Sequence, residues 1–399
     1  MKNITVGIVL VVALLPLRLL SQQKSGFEID GVLGGLKNGE MIKLANRFAD
    51  FHYPSWMDSC KVIDGKFKLK GEFVPGGPRI YEIWFDEGHH RVRNVKGDGN
   101  IGGMDINLFL DNGDQVKIAG GDINKMQNAD FENEVLITGS PTNLAKRLLL
   151  PVIDSFFRCY SLINRRLNTV RDSIGFDKSF VQRQIDARLK LDSDVYLKLS
   201  KFQSNSYKVT LPYLLGYIDN YHNRFLKNLY ENLKESIHDS YYGKILKANS
   251  DLAIGQALPE FSLPSYDGKE ITLKEIVSKS KVTLVHLWAS NSYEREKYQQ
   301  ELKIMYKQYH DKGLNIIGVS ADTSADDWKF MIHQKQYPWP NVSDLKGWGK
   351  GSIIQDVYHE GGHSIPNTTN ILLDEKGRII AWDANGVELQ WYLWKYLGE

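Results

Sequence analysis

Apolar and polar residues alternate in short runs through the first third of the chain. Phe27–Gly31, Met41–Leu44, Ile80–Phe85 and Ile106–Leu110 are such runs, the mark of strands with one face in a core. Ser59–Val62 and Phe67–Gly71 flank Asp64-Gly65, a dipeptide that predicts a tight turn joining them as a hairpin. Asp111–Asp114 predicts a second turn leading into Val116–Ile118. Strands at this spacing imply a small β sandwich or barrel-like domain over residues 23–138.

The period changes at Gly139-Ser140-Pro141-Thr142. Leu149, Ile153, Phe156, Tyr160, Ile163, Leu167, Val170 and Ile174 step by fours and threes, with Pro151 in the first turns and Gly175 at the end. Further helices are predicted over 178–190, 194–203 and 213–236. Residues 139–252 read as an α-helical connector packed on its neighbours, with a homodimer seam as the sharper alternative for the near-heptad stripe. Beyond Ile254, strand-like runs at 254–263, 267–273, 282–285 and 314–320 are followed by helical segments at 293–309 and 325–335. A hairpin of Asn370–Asp374 and Arg378–Trp382 and a last helix from Val387 complete an α/β pattern over 253–399. The fold class is multidomain α+β.

Composition changes this picture at the N-terminus. Lys2 precedes an apolar run of 14 residues, Ile4–Leu17, short for the ~20 residues of a bilayer span. Residues 1–22 are therefore expected to be a secretory signal peptide, with no transmembrane segment after its removal and a periplasmic or envelope location. A net charge of +2 offers no electrostatic case for nucleic acid. The chain has two cysteines, Cys60 and Cys159. Cys60 alternates with Val62 on one strand face and Cys159 borders the Phe156/Tyr160 stripe, so both are expected to be at least half-buried.

Candidate chemistry gathers at Val282–Arg295, where an apolar run ends in Trp288-Ala289-Ser290 and a polar helix start follows. With Ile254-Gly255, Leu258-Pro259-Glu260-Phe261, Asp267-Gly268-Lys269, Gly318-Val319-Ser320, Trp339-Pro340 and Ser364-Ile365-Pro366, this stretch resembles the TlpA/ResA-like, AhpC/TSA-type thioredoxin-fold proteins. Residues 26–138 are similar to the small β domain of unknown function that precedes such domains. The resemblance implies a Cys-x-x-Cys centre at the strand-to-helix corner and a cis-proline loop, at Pro366, opposite it. Here the two cysteine positions fall on Ser292 and Arg295. A serine hydroxyl cannot form a disulfide, and an arginine cannot resolve one. Asn291, Ser292 and Glu294 instead suit a helix cap.

The resemblance therefore implies a fold kept without its redox chemistry. We expect no catalytic residue at the former redox positions and no cofactor. The expected role is binding of an envelope protein or extended peptide by strand addition along Trp288, Asn291, Tyr293, Ile365 and Pro366. The alternative is an active thiol–disulfide oxidoreductase or antioxidant protein using Cys60, Cys159 or a partner's thiol. His359-Glu360-Gly361-Gly362-His363 has the spacing of a zinc motif. The two glycines in its turn oppose a helix, so His359, Glu360 and His363 are only weak metal candidates and no metal is expected. Gly97–Gly102 fits a Gly-x-Gly-x-x-Gly pattern but leads into a strand rather than a helix, which argues against a dinucleotide site.

Overall fold

The computed structural model describes residues 26–46, 55–72, 77–85, 106–125, 135–170, 177–200, 224–291, 296–348, 351–354 and 369–398. The N-terminal strands are β1 (Phe27–Gly34), β2 (Met41–Asn46), β3 (Ser55–Lys61), β4 (Lys66–Gly71), β5 (Arg79–Phe85), β6 (Ile106–Leu110), β7 (Gln115–Asp122) and β8 (Val135–Thr138). They form two four-stranded sheets, ordered β4-β1-β7-β8 and β3-β2-β5-β6. Alternate residues of both sheets point inward, Phe27, Ile29, Leu69, Val116 and Ile118 from one and Ile42, Leu44, Tyr81, Ile83 and Leu108 from the other.

One sequence expectation needs correction. β3 and β4 are not the two arms of a hairpin ladder. β3 pairs with β2 and β4 with β1, so the chain changes sheets between them. The turn itself is as expected: Asp64 and Gly65 have φ of 50° and 69°, and Ile63 and Lys66 exchange both backbone hydrogen bonds, at 3.0 and 2.9 Å. A turn dipeptide dictates the local reversal. Which neighbour each arm then joins is decided by the inward residues that must meet in the core.

Helix α1 (Pro141–Val170) begins where Gly139 turns the chain with φ of 83°. A Cβ at Gly139 would lie 1.9 Å from the carbonyl oxygen of Gln115, so glycine is required on both counts. Ser140 accepts from the Asn143 backbone at 3.4 Å, and Pro141 takes the first helical position. Asn143 then pairs with strand β6: its Oδ1 accepts from Phe109 N at 2.9 Å and its Nδ2 donates to Phe109 O at 2.7 Å. Lys146 Nζ donates to Asn107 O at 3.0 Å. The helix thus satisfies backbone groups of an edge strand that would otherwise be open to pairing.

Pro151 lies ten residues into α1, not in its first turns as the stripe alone implied. It sits on the exposed side, where water can take the Arg147 carbonyl that a proline leaves without its helical partner. α2 (Lys178–Ser200) is one helix where sequence predicted two, because nothing between residues 190 and 194 breaks it and Lys190 pairs with Asp194 across one turn at 2.9 Å. α3 (Leu226–Glu231), α4 (Glu235–His238) and α5 (Tyr241–Asp251) follow. α5 lies on the outer face of the sandwich, where Tyr242 packs with Ile80 and Phe109 and its hydroxyl accepts from Ile80 N at 3.0 Å.

The C-terminal α/β unit comprises β9 (Ser262–Pro264), β10 (Glu270–Thr272), α6 (Leu273–Val277), β11 (Val282–Trp288), α7 (Glu296–Tyr309), β12 (Leu314–Ser320), α8 (Ala325–Lys335), β13 (Asn341–Ser343), β14 (Thr369–Asp374), β15 (Ile379–Trp382) and α9 (Gly386–Leu397). Its five-stranded sheet is ordered β13-β12-β11-β14-β15. β11, β12 and β13 are parallel, β14 is antiparallel to β11, and β15 is antiparallel to β14. This is the thioredoxin-like arrangement that the resemblance implies. Every residue of β11 is buried, with Val282 and Leu284 against α7 and α9 and Val285 and Leu287 on the opposite face.

The apolar stripe of α1 is covered within the chain. Leu149, Ile153, Phe156 and Tyr160 pack with α2 and α3, while Ile163 and Leu167 join Val181, Ile185, Trp391 and Tyr392 in one core shared with α9. At this junction Arg188 of α2 and Glu388 of α9 form a two-bond ion pair with side chains only 17% and 14% exposed. Burial opposes the charge on Arg188, but Glu388 together with Tyr160 and Tyr392 outweighs it and raises the guanidinium above its usual pKa.

Half-buried Asp192 lies near the cations of Arg188 and Arg224, yet burial dominates and pushes its carboxyl up to about 6. A carboxyl raised on folding stabilises fully below the ordinary aspartate range and loses that contribution as pH rises through 6. Asp192→Asn is therefore expected to match the native chain at pH 4. At pH 7.5 it should exceed it by up to about 3 kcal/mol. Urea unfolding across this range checks it, and an unchanged pH slope in the variant contradicts it.

Candidate functional site

The three parallel strands end side by side, and a hydrogen-bonded belt crosses their C-terminal ends. Ser343 Oγ donates to Ser320 O at 2.9 Å. Ser320 Oγ donates to Asp322 Oδ2 at 2.7 Å, and Asp322 N donates back to Ser320 Oγ at 3.0 Å. The Asp322 carboxyl, only 5% exposed, also accepts the backbone N–H of Ser290 at 2.9 and 3.1 Å and the Ser290 hydroxyl. Ala321 N donates to Trp288 O at 2.8 Å. The corner after β11 is thus held on β12 through one buried acid.

Beneath the corner is an aromatic layer. Trp288 is 1% exposed and meets Tyr337 edge to face at 5.4 Å, and Tyr337 and Trp339 continue the layer to Tyr306 and His310. Gly318 makes room for it, since a Cβ there would stand 2.1 Å from Asn341 Oδ1 and 3.0 Å from Trp288 Nε1. Further back along β11, His286 is wholly buried with Nδ1 2.9 Å from Asn370 Oδ1. Asn370 Nδ2 donates to Ala384 O at 3.1 Å and Asn385 Oδ1 at 2.7 Å, which ties β11 to the start of α9.

The chemistry open to this belt is limited. The Ser290 hydroxyl is spent on Asp322, and among the described residues no imidazole hydrogen-bonds to it. Asp322 is itself held by Ser290 N and Ser320 Oγ, so its carboxyl acts on this serine as a brace. The belt positions the corner instead. Sequence reasoning missed Asp322, although an acid two residues beyond a serine at a strand end is a visible signal.

Of the binding-edge residues expected from sequence, Trp288 has its indole buried, so its contribution to the corner is packing and a carbonyl. Asn291 is exposed. Ser292, Tyr293, Arg295, Ile365 and Pro366 lie outside the described residues, as do the metal candidates His359, Glu360 and His363. Among the described residues, no three His, Cys, Asp or Glu side chains gather as metal ligands. No described helix is long and apolar enough to cross a membrane.

Both cysteines are free thiols. Cys60 is partly covered against the sandwich core, and burial and the Asp58 carboxylate outweigh a backbone hydrogen bond from Lys68 to push its thiol up. Cys159 is exposed, a correction to the half-buried expectation, because it falls one position off the buried stripe of α1.

Residues 254–381 match the AhpC/TSA family model. The chain is 27% identical to the thiol-disulfide oxidoreductase ResA of Bacillus cereus over 162 residues, 41% of this chain and 84% of that protein. To the protein of the same name in Bacillus anthracis it is 28% identical over 129 residues, 32% and 68% of the two lengths. Among solved structures, a thiol-disulfide oxidoreductase from Bacteroides fragilis is 28% identical, with a TM-score of 0.32 and coverage of 35% of this chain and 98% of that one.

Proposed function

With a C-terminal region that is AhpC/TSA-type and thioredoxin-like, we propose that this chain is a redox-inactive member of the thiol-disulfide oxidoreductase-like class. In this reading it is exported to the periplasm or cell envelope and binds a protein or extended peptide there. One observation carries the proposal: the C-terminal region contains no sulfur nucleophile. The resemblance sets its two cysteine positions on Ser292 and Arg295, and the two cysteines of the chain stand in a sandwich strand and in α1. Thiol–disulfide exchange needs a thiolate that attacks and a second that resolves. The pinned Ser290–Asp322 corner supports a frame kept for shape rather than for that chemistry. An exposed Asn291 at the end of β11 supports an accessible edge beside it.

The expected result is no disulfide-reductase or peroxidase turnover by the native chain. Ser292→Cys/Arg295→Cys is expected to form a disulfide and to gain reductase turnover. Native turnover that disappears on Cys159→Ser or Cys60→Ser would overturn the redox-inactive reading.

A further inference from the structure

Among the described residues, the outer face of α1 carries exposed leucines together with exposed arginines. Opposite the buried stripe stand Leu144, Leu148 and Leu162, 60%, 55% and 49% exposed. Arg147, Arg158, Arg165 and Arg166 stand among them, also exposed, and Asp154 is the only acid of the helix. None of the four arginines forms an ion pair with a described residue. Phe157, Arg158, Ser161, Leu162 and Arg165 line an open groove of ≈ 560 Å³ on this face. Thirty residues of helix, with Pro151 in the interior, make a strip that extends over roughly 45 Å.

We propose that this strip docks on an anionic phospholipid surface, α1 lying in the plane of the interface. The proposal is independent of whether the C-terminal region has redox activity. The occupant is argued from charge and shape. A lipid surface presents phosphates at one level and hydrocarbon just beneath, and arginines between leucines match both because their long stems keep the guanidinium at the headgroups while apolar carbons sink. A second copy fits poorly, since pairing α1 with α1 sets four arginines against four with a single acid on each side. The exposed leucines spread over several turns also favour an extended apolar layer over a single acidic pocket.

Cys159 lies beside the strip and is exposed, so a polarity-sensitive fluorophore placed there in the full chain with Cys60→Ser reports on this helix and not on the apolar N-terminus. Vesicles of phosphatidylglycerol and phosphatidylcholine are expected to shift its emission to the blue. Pure phosphatidylcholine vesicles are expected to leave it unchanged, and raising the salt should reverse the shift. Each arginine lost should weaken partitioning about fivefold, so Arg158→Gln/Arg165→Gln is expected to lose about 25-fold while Arg158→Lys/Arg165→Lys retains binding. An unchanged emission with anionic vesicles overturns the proposal, as does an equal shift with neutral ones. Two further results count against it: sedimentation showing a dimer that the glutamine variant abolishes, or polyglutamate shifting the probe where anionic vesicles do not, which assigns the strip to an acidic protein.

Discussion

Replacing Arg188 with alanine is expected to destabilise the junction between connector and α/β unit by about 2–4 kcal/mol. Arg188 gives two hydrogen bonds to Glu388 in a site shared with Tyr160 and Tyr392, from which water is largely excluded. Removing the guanidinium leaves the carboxylate with its desolvation and without its partner. Removing both charges leaves neither, so Arg188→Met/Glu388→Leu is expected to cost less than either single change, about 1 kcal/mol or less. Urea unfolding and amide exchange in α2 and α9 check this. A single variant within about 0.5 kcal/mol of the native chain would mean that the pair is hydrated in solution.

Asp322→Ala is the second large effect, about 3–4 kcal/mol. The carboxyl accepts from Ser290 N, Ser290 Oγ and Ser320 Oγ, and its loss leaves three donors in a covered site. Ser290→Ala deletes one donor and leaves the acid its other partners, so it is expected to cost only about 1 kcal/mol. The asymmetry is the test, read by thermal unfolding of each variant. Equal effects would mean that the belt is not organised around the acid.

The strand runs, the Asp64-Gly65 turn, the α1 stripe and the β–α–β order of the C-terminal region were legible because each depends on residues close in sequence. The pairing of β3 with β2 was not, because it is settled by which inward residues meet in the core. The continuity of α2 and the exposure of Cys159 were missed although both follow from local spacing, Lys190 to Asp194 along one helix and Cys159 one position off the stripe. The candidate site divides in the same way. That the C-terminal region carries no cysteine is readable from the sequence alone. Asp322 was invisible as a partner of Ser290, 32 positions away, until the parallel strands brought their ends together.

By itself, then, the sequence determined the kinds of element, their order and the absence of thiols from the C-terminal region, since these follow from local periodicity and residue chemistry. The tertiary structure decided which strands share a sheet, that the connector and α9 share a core around Arg188 and Glu388, and that α1 buries one face while leaving leucines and arginines on the other. The physical reason is that burial belongs to a surface, and a surface is assembled from residues distant in the chain.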